Sequence, residues 1–235
     1  MPAVPEVTID DALAGFLDSQ RGRLSPRSLR RYEDVVELLA HCLNGYGYQG
    51  LSEFDRKRFE SAYDAGDEEA FCHLFGPEKI VDNLGEFLSY FMIRKVMAGQ
   101  ELLRAAGTVT KALARWLHEQ GWIDADALTD ATERGGNAAR ELPRAEKLAG
   151  LLYDVTRRSA DVVEDPDAVA EEDWVEDSLA IERVTPGALW FEGGIGPLEV
   201  PAQASALAQV GWNVTVTLAR VRGVWHLLEV GSVYP

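Results

Sequence analysis

Arg104, Thr108, Lys111 and Arg115 recur at i, i+4, i+7 and i+11, the spacing that puts side chains on one face of a helix. Three cations and a hydroxyl along such a face suit the phosphate backbone of a nucleic acid, while Leu103, Ala106, Val109, Leu113 and Trp116 form the apolar stripe opposite. A second group, Arg21, Arg23, Arg27, Arg30 and Arg31, crowds around Ser25-Pro26, which reads as an N-cap followed by proline at the first helical position. The helix dipole already places partial positive charge there, so the arginines are locally unfavourable without an anion among them. Free amides and guanidinium forks hold phosphate well. The competing account is that Glu33, Asp34 and Glu37 pair with these arginines at helical spacing and leave a neutral, solvated face.

Other groups read as structural. His41-Cys42 and Cys72-His73 have the composition of a zinc set, yet adjacent residues on a helix point about 100° apart and aim poorly at one ion. Gly193-Gly-Ile-Gly-Pro197 lacks phosphate-loop spacing and reads as a hairpin turn. The acid pairs Asp10-Asp11, Asp124/Asp126 and Glu171-Glu172 have no histidine or convergent ligands beside them. No nucleophile, base and orienting group assemble from motifs, so the expectation is a non-enzymatic protein without metal or cofactor. Trp190, Phe191, Trp212, Trp225 and Tyr234 either fill a small core or stack on a partner. Trp190 and Trp212 each lie beside a turn and are the candidates for exposed, partner-binding aromatics.

The elements that position these groups are helical from residue 8 to 158. Thr8 or Asp10 caps a first helix, and Ser25-Pro26 opens a second that ends at Asn44-Gly-Tyr-Gly. Ser52 with Asp55 starts a third, and Asp67 starts a short one closing at Gly76. Pro77 opens a longer helix with the stripe Ile80, Leu84, Phe87, Leu88, Phe91 and Val96. Gln100 to Gln120 forms the next, stopped by Gly121. Residues 124–134 and 137–158 predict two more, the last kinked or delayed by Pro143. After Asp177 short β runs, Val214-Thr-Val-Thr-Leu218 the clearest, predict about five antiparallel strands closed into a barrel.

The chain has 39 acidic and 23 basic residues and a formal charge of −16, which argues against a polyanionic partner. The distribution changes that argument, because residues 161–177 alone carry nine acids and no base. That run reads as a solvated linker, or as a mimic of nucleic acid competing for a basic face. Residues 81–160 balance eleven of each sign. No apolar run is long enough to cross a bilayer and Met1-Pro-Ala-Val-Pro-Glu is no signal peptide, so the expected location is the cytoplasm. Cys42 and Cys72 lie in apolar helical contexts and read as buried thiols rather than a disulfide.

Two segments carry a family likeness. Leu24-Ser-Pro-Arg-Ser-Leu-Arg-Arg-Tyr32 with Leu38 and Leu39, and Thr108-Val-Thr-Lys-Ala-Leu-Ala-Arg-Trp-Leu-His-Glu-Gln-Gly-Trp-Ile123, resemble the first and last core helices of the SAM-like core-binding domain of tyrosine recombinases and phage integrases. The likeness spans about residues 8–128. It implies a helical bundle lying against a DNA duplex, with phosphate and groove contacts from Arg27, Arg30, Arg31, Arg104, Thr108, Lys111 and Arg115. The chain departs from that family in an acidic insertion at 45–76 and in Asp124-Ala-Asp126 at the helix exit. It has no counterpart of the recombinase catalytic domain, so strand cleavage is not expected.

The sequence thus predicts an α+β protein: a helical SAM-like domain over 1–160, an acidic linker over 161–177 and a small antiparallel β-barrel over 178–235. Its expected function is non-catalytic association with nucleic acid, DNA in particular. The alternative is a protein-interaction module that uses the barrel aromatics. No feature of the sequence specifies an oligomeric state.

Overall fold

A computed structural model describes residues 6–159, 162–163 and 169–235. The fold is α+β, an N-terminal helical region followed by a closed five-strand mixed β-barrel. The chain divides into two compact units, Met1–Arg140 and Glu141–Pro235.

In the first unit, local chemistry sets the helix starts. Thr8 caps α1 (Ile9–Arg21) through a reciprocal capping box with Asp11. Ser25 caps α2 (Pro26–Tyr46), accepting from the Ser28 amide at 3.2 Å, with Pro26 at the first helical position. Ser52 caps α3 (Glu53–Asp64) in the same way through Asp55. α4 (Ala70–Leu74) follows, packed on α1 and α2. The acidic stretch 45–76 is anchored by aromatic contacts: Tyr48 stacks on Phe59 at 5.5 Å, and Phe59 meets Phe71 at 6.4 Å. The core is built on Phe16, Leu39, Leu43, Phe71, Phe87, Leu113 and Leu117, all fully buried.

The long helix expected from Pro77 is broken into α5 (Glu78–Asp82), α6 (Leu84–Glu86), a π-helical turn (Phe87–Phe91) and α7 (Met92–Arg94). At Asn83 the backbone leaves helical geometry (φ −103°, ψ 0°), and its side-chain amide donates to the Lys79 carbonyl at 2.8 Å. An asparagine amide that takes a carbonyl from the helical ladder favours such a break.

α8 (Gln100–Glu119) carries the basic face, and α9 (Ala125–Ser159) is one helix where the sequence predicts two. Gly135 and Gly136 do not end it, because Gly135 is in close contact with α8. A Cβ on Gly135 would lie 2.8 Å from the Gly107 carbonyl oxygen, and one on Gly107 would lie 2.3 Å from both the Gly135 oxygen and the Ala139 nitrogen. Two helix backbones meet where neither glycine has a side chain.

In the second unit the strands are β1 (Trp174–Thr185), β2 (Ala188–Phe191), β3 (Ile195–Glu199), β4 (Asn213–Val221) and β5 (Val224–Tyr234). Their order around the barrel is β1-β2-β3-β5-β4, closing onto β1. A short helix, α10 (Ala202–Leu207), joins β3 to β4; the sequence reading contains no counterpart of it. The expected antiparallel pairing holds at four seams, and at the fifth β3 pairs with β5 in parallel at Leu198 and Trp225. Strand directions cannot alternate around a closed ring of five, so one parallel neighbour is unavoidable. Leu179, Ile181, Leu189, Phe191, Val214, Val216, Leu218 and Leu227 fill the interior. Ala145, Leu148, Leu152 and Val155 from the second half of α9 are buried in the same cluster, so residues read from sequence as part of the helical domain belong to the barrel core.

Of the acidic run, residues 161 and 164–168 lie outside the described residues. Its end is structured: β1 starts at Trp174, and Asp173 accepts from Arg220 Nε at 2.6 Å, a pairing the run itself does not contain.

Candidate nucleic-acid interface

α8 places its predicted apolar stripe inward and its basic residues outward. Leu103, Ala106, Val109 and Leu113 are buried and Trp116 half-buried, whereas Arg104, Thr108 and Arg115 are exposed. Thr108 donates its hydroxyl to the Arg104 carbonyl at 3.0 Å and is satisfied within its own helix. Lys111 is half-buried, because its stem lies over the glycine pair of α9, with Cγ 2.8 Å from where a Gly135 Cβ would stand. The polar head of a lysine held in this way can still reach solvent. Arg104, Lys111 and Arg115 enter no ion pair among the described residues.

The second cluster is only partly free. Arg27 and Arg31, one turn apart on α2, both reach the Glu101 carboxylate in the first turn of α8: Arg27 Nη2 lies 3.4 Å from Oε2, and Arg31 bonds the same oxygen. The anion that the sequence reading assigned to phosphate is therefore supplied by the protein. The partners proposed in the competing account, Glu33, Asp34 and Glu37, form no ion pair with Arg27, Arg30 or Arg31 among the described residues. Arg30 is exposed and unpaired among those residues, and Arg21 pairs with Asp18 at 2.8 Å. Glu101 thus brings the two clusters together, since Arg27 and Arg31 meet it from α2 and Arg104 follows it by three residues on α8. Arg27 and Glu101 are mostly exposed, and an ion pair so placed contributes only about 0–1 kcal/mol. A row of phosphates competes readily with one carboxylate at that strength.

Neither of the two barrel aromatics expected at the surface is fully exposed. Trp212 is 5% exposed and belongs to the core, a correction to its expected exposure. Hydrogen bonds from the Ile181 amide to the Trp212 carbonyl (2.8 Å) and from the Gly211 amide to the Ile181 carbonyl (2.9 Å) draw the turn into the sheet. Trp212 then continues the inward alternation of Val214, Val216 and Leu218. Trp190 is half-buried, and the Arg183 guanidinium carbon stands 3.8 Å from its ring centroid.

His41 is exposed while Cys42 is buried, and His73 turns to Asp67 (3.0 Å), so the two His-Cys pairs do not form one ligand set. Burial pushes both thiols, Cys42 and Cys72, up to about 12. Among the described residues no three His, Cys, Asp or Glu side chains converge as metal ligands, and no helix is long and apolar enough to cross a membrane.

Sequence reasoning did not identify Glu101 as the counter-ion. Its first-turn position is legible, since acids favour helix N-termini, but its partners lie 70 and 74 residues away. Nor did it assemble the cleft lined by Gln20, Arg23, Tyr32, Arg115, Trp116 and Glu119.

The fold and this surface define a two-unit α+β protein with a partly neutralised basic face on its helical unit. No family model, curated protein or solved structure matches the chain.

Proposed function

We propose that the helical unit associates with nucleic acid, DNA by the resemblance of its Leu24–Tyr32 and Thr108–Ile123 segments, through phosphate contacts and without catalysis. The observation that carries this reading is the exposed set Arg104 and Arg115 on one face of α8, with the Lys111 head beside them, none paired to a carboxylate among the described residues. Arg30 extends the set on α2. Arg27 and Arg31 join it only when phosphate displaces Glu101. Contacts of this kind position a protein on a strand without reading its bases. The alternative, a protein partner gripped by barrel aromatics, is weakened by the burial of Trp212 and the Arg183 cover on Trp190.

The test is fluorescence anisotropy of a random-sequence duplex against the full chain across a salt series. The expected log-log slope is about −0.9 per phosphate contact. Replacing Arg30 and Lys111 together with alanine flattens the slope by about two contacts. No binding at low salt refutes the reading.

A further inference from the structure

The cleft in the helical unit has the composition of a site for a small anionic ring compound. It encloses about 290 Å³ between the end of α1, the α1–α2 connection, α2 and α8. That lies near the lower end of the roughly 300–1,000 Å³ seen for small-molecule pockets.

Its polar groups are unequally placed. Arg23 and Arg115 both line it, and neither enters an ion pair among the described residues. Gln20 is 7% exposed, a buried polar side chain on the cleft wall. Its amide nitrogen donates to Ser19 Oγ at 2.9 Å, which leaves a second N–H, and its carbonyl oxygen has no protein donor among the described residues. The oxygen is not sealed from solvent, and the residue itself lines the cleft. Tyr32 adds a phenol whose ring stacks on Phe16 at 5.9 Å. Burial raises its pKa and the charge of Arg23 lowers it. Trp116 gives an indole wall, wedged against Phe16 and Trp122.

Two guanidinium forks are matched by the oxygens of a phosphomonoester. An amide edge with one donor and one acceptor matches the N6/N7 edge of adenine, and indole and phenol rings offer stacking surface to a base. Glu119, the one carboxylate on the wall among the described residues, can accept from sugar hydroxyls or an exocyclic amine. Phosphate alone would leave the aromatic wall and the Gln20 amide unused.

We propose that this cleft binds a nucleoside 5′-monophosphate, either as the free nucleotide or as the phosphorylated end of a nucleic-acid strand. The strand-end source rests on the nucleic-acid reading above, and the free-nucleotide source does not.

The experiment is isothermal titration calorimetry of the full chain with AMP, with adenosine and with inorganic phosphate. AMP is expected to bind saturably at one site per chain, and adenosine and phosphate at least about tenfold more weakly. Arg23→Gln, at an exposed position that leaves the bundle core intact, is expected to lose about tenfold in AMP affinity. No AMP binding, or equal AMP affinity in wild type and Arg23→Gln, overturns the proposal. A short single strand with and without a 5′-phosphate separates the sources: an AMP-competed preference for the phosphorylated strand identifies the strand end, and AMP binding without that preference identifies the free nucleotide. Closed circular duplex has no ends and reports only on the phosphate face, so retained circle binding with failed AMP binding sinks the cleft alone.

Discussion

Glu101 of α8 and Arg31 of α2 form an ion pair between two helices, and the same carboxylate oxygen stands 3.4 Å from Arg27. The pair ties the two helices that carry the basic face, and it withholds two cations from any anion outside. Glu101→Gln removes the competing charge while keeping the side chain's length. Under the phosphate-contact reading, duplex affinity rises about tenfold at low salt and the log-log salt slope steepens by about 1 to 2. Anisotropy titrations of wild type and variant check this; unchanged affinity would show that Arg27 and Arg31 do not take part.

Gly107 and Gly135 make a second prediction possible because α9 supplies its own control. A Cβ at Gly107 meets backbone atoms at 2.3 Å, which no rotamer change relieves, whereas a Cβ at Gly150 meets nothing within 4 Å. Gly107→Ala is expected to destabilise the helical unit by about 1–3 kcal/mol, overriding the gain an alanine brings to a helix. Gly150→Ala is expected to stabilise by about 0.5–1 kcal/mol. Urea denaturation measures both, and effects of equal sign would contradict the close crossing.

His73 and Asp67 set a pH dependence. The hydrogen bond to the Asp67 carboxylate raises the His73 pKa, and the same bond lowers that of Asp67. The histidine contribution is complete below its ordinary value of about 6.5 and is lost as pH rises through the raised one. The aspartate contribution is complete above its ordinary value of about 3.9 and is lost as pH falls through the lowered one. Local stability around α4 therefore has a plateau between about pH 4 and 6.5 and declines on the alkaline side. His73 is 45% exposed, so the change stays below about 1 kcal/mol. Amide exchange over Ala70–Leu74 reads it, and Asp67→Asn is expected to reduce the alkaline decline to the smaller part that Glu69 and Asp10 sustain.

Trp212→Ala leaves a large void in the buried cluster shared by the strands and the second half of α9, and is expected to cost the barrel about 3–5 kcal/mol. Trp190→Ala opens a half-buried position and loses the Arg183 stack, a smaller effect. Thermal unfolding followed by near-ultraviolet circular dichroism ranks the two. A milder effect at Trp212 would return it to the surface.

The sequence was most readable where the physics is local. Thr8, Ser25-Pro26 and Ser52 predict the starts of α1, α2 and α3 because a cap bonds an amide only three residues on. The stripe opposite Arg104 and Arg115 was equally plain, since one helical period decides it. Asn83 escaped notice because its side chain competes with a ladder that the apolar periodicity supports on both sides. Gly135-Gly136 suggests a break, and the helix runs through it in close contact with Gly107 and Lys111, 28 and 24 residues before Gly135. Trp212 lies next to Gly211, a true turn glycine with φ +90°, yet pairing with Ile181 on another strand turns the ring inward. The basic face was legible as residues but not as charge, because Glu101 neutralises part of it from a distant stretch of chain.

The helix α9 cannot be cut where composition changes. Leu148, Leu152 and Val155 belong to the same buried cluster as the inward residues of the strands, while Ala131 and Ala138 of the same helix are buried in the first unit's half of the chain. A piece ending near residue 160 would display an uncovered apolar stripe, and a barrel begun at residue 178 would lack Ala145, Leu148, Leu152 and Val155 from its core as well as the start of β1. The barrel is therefore not an exchangeable cassette: any recombination that moves it intact has to carry residues 141–159 as well.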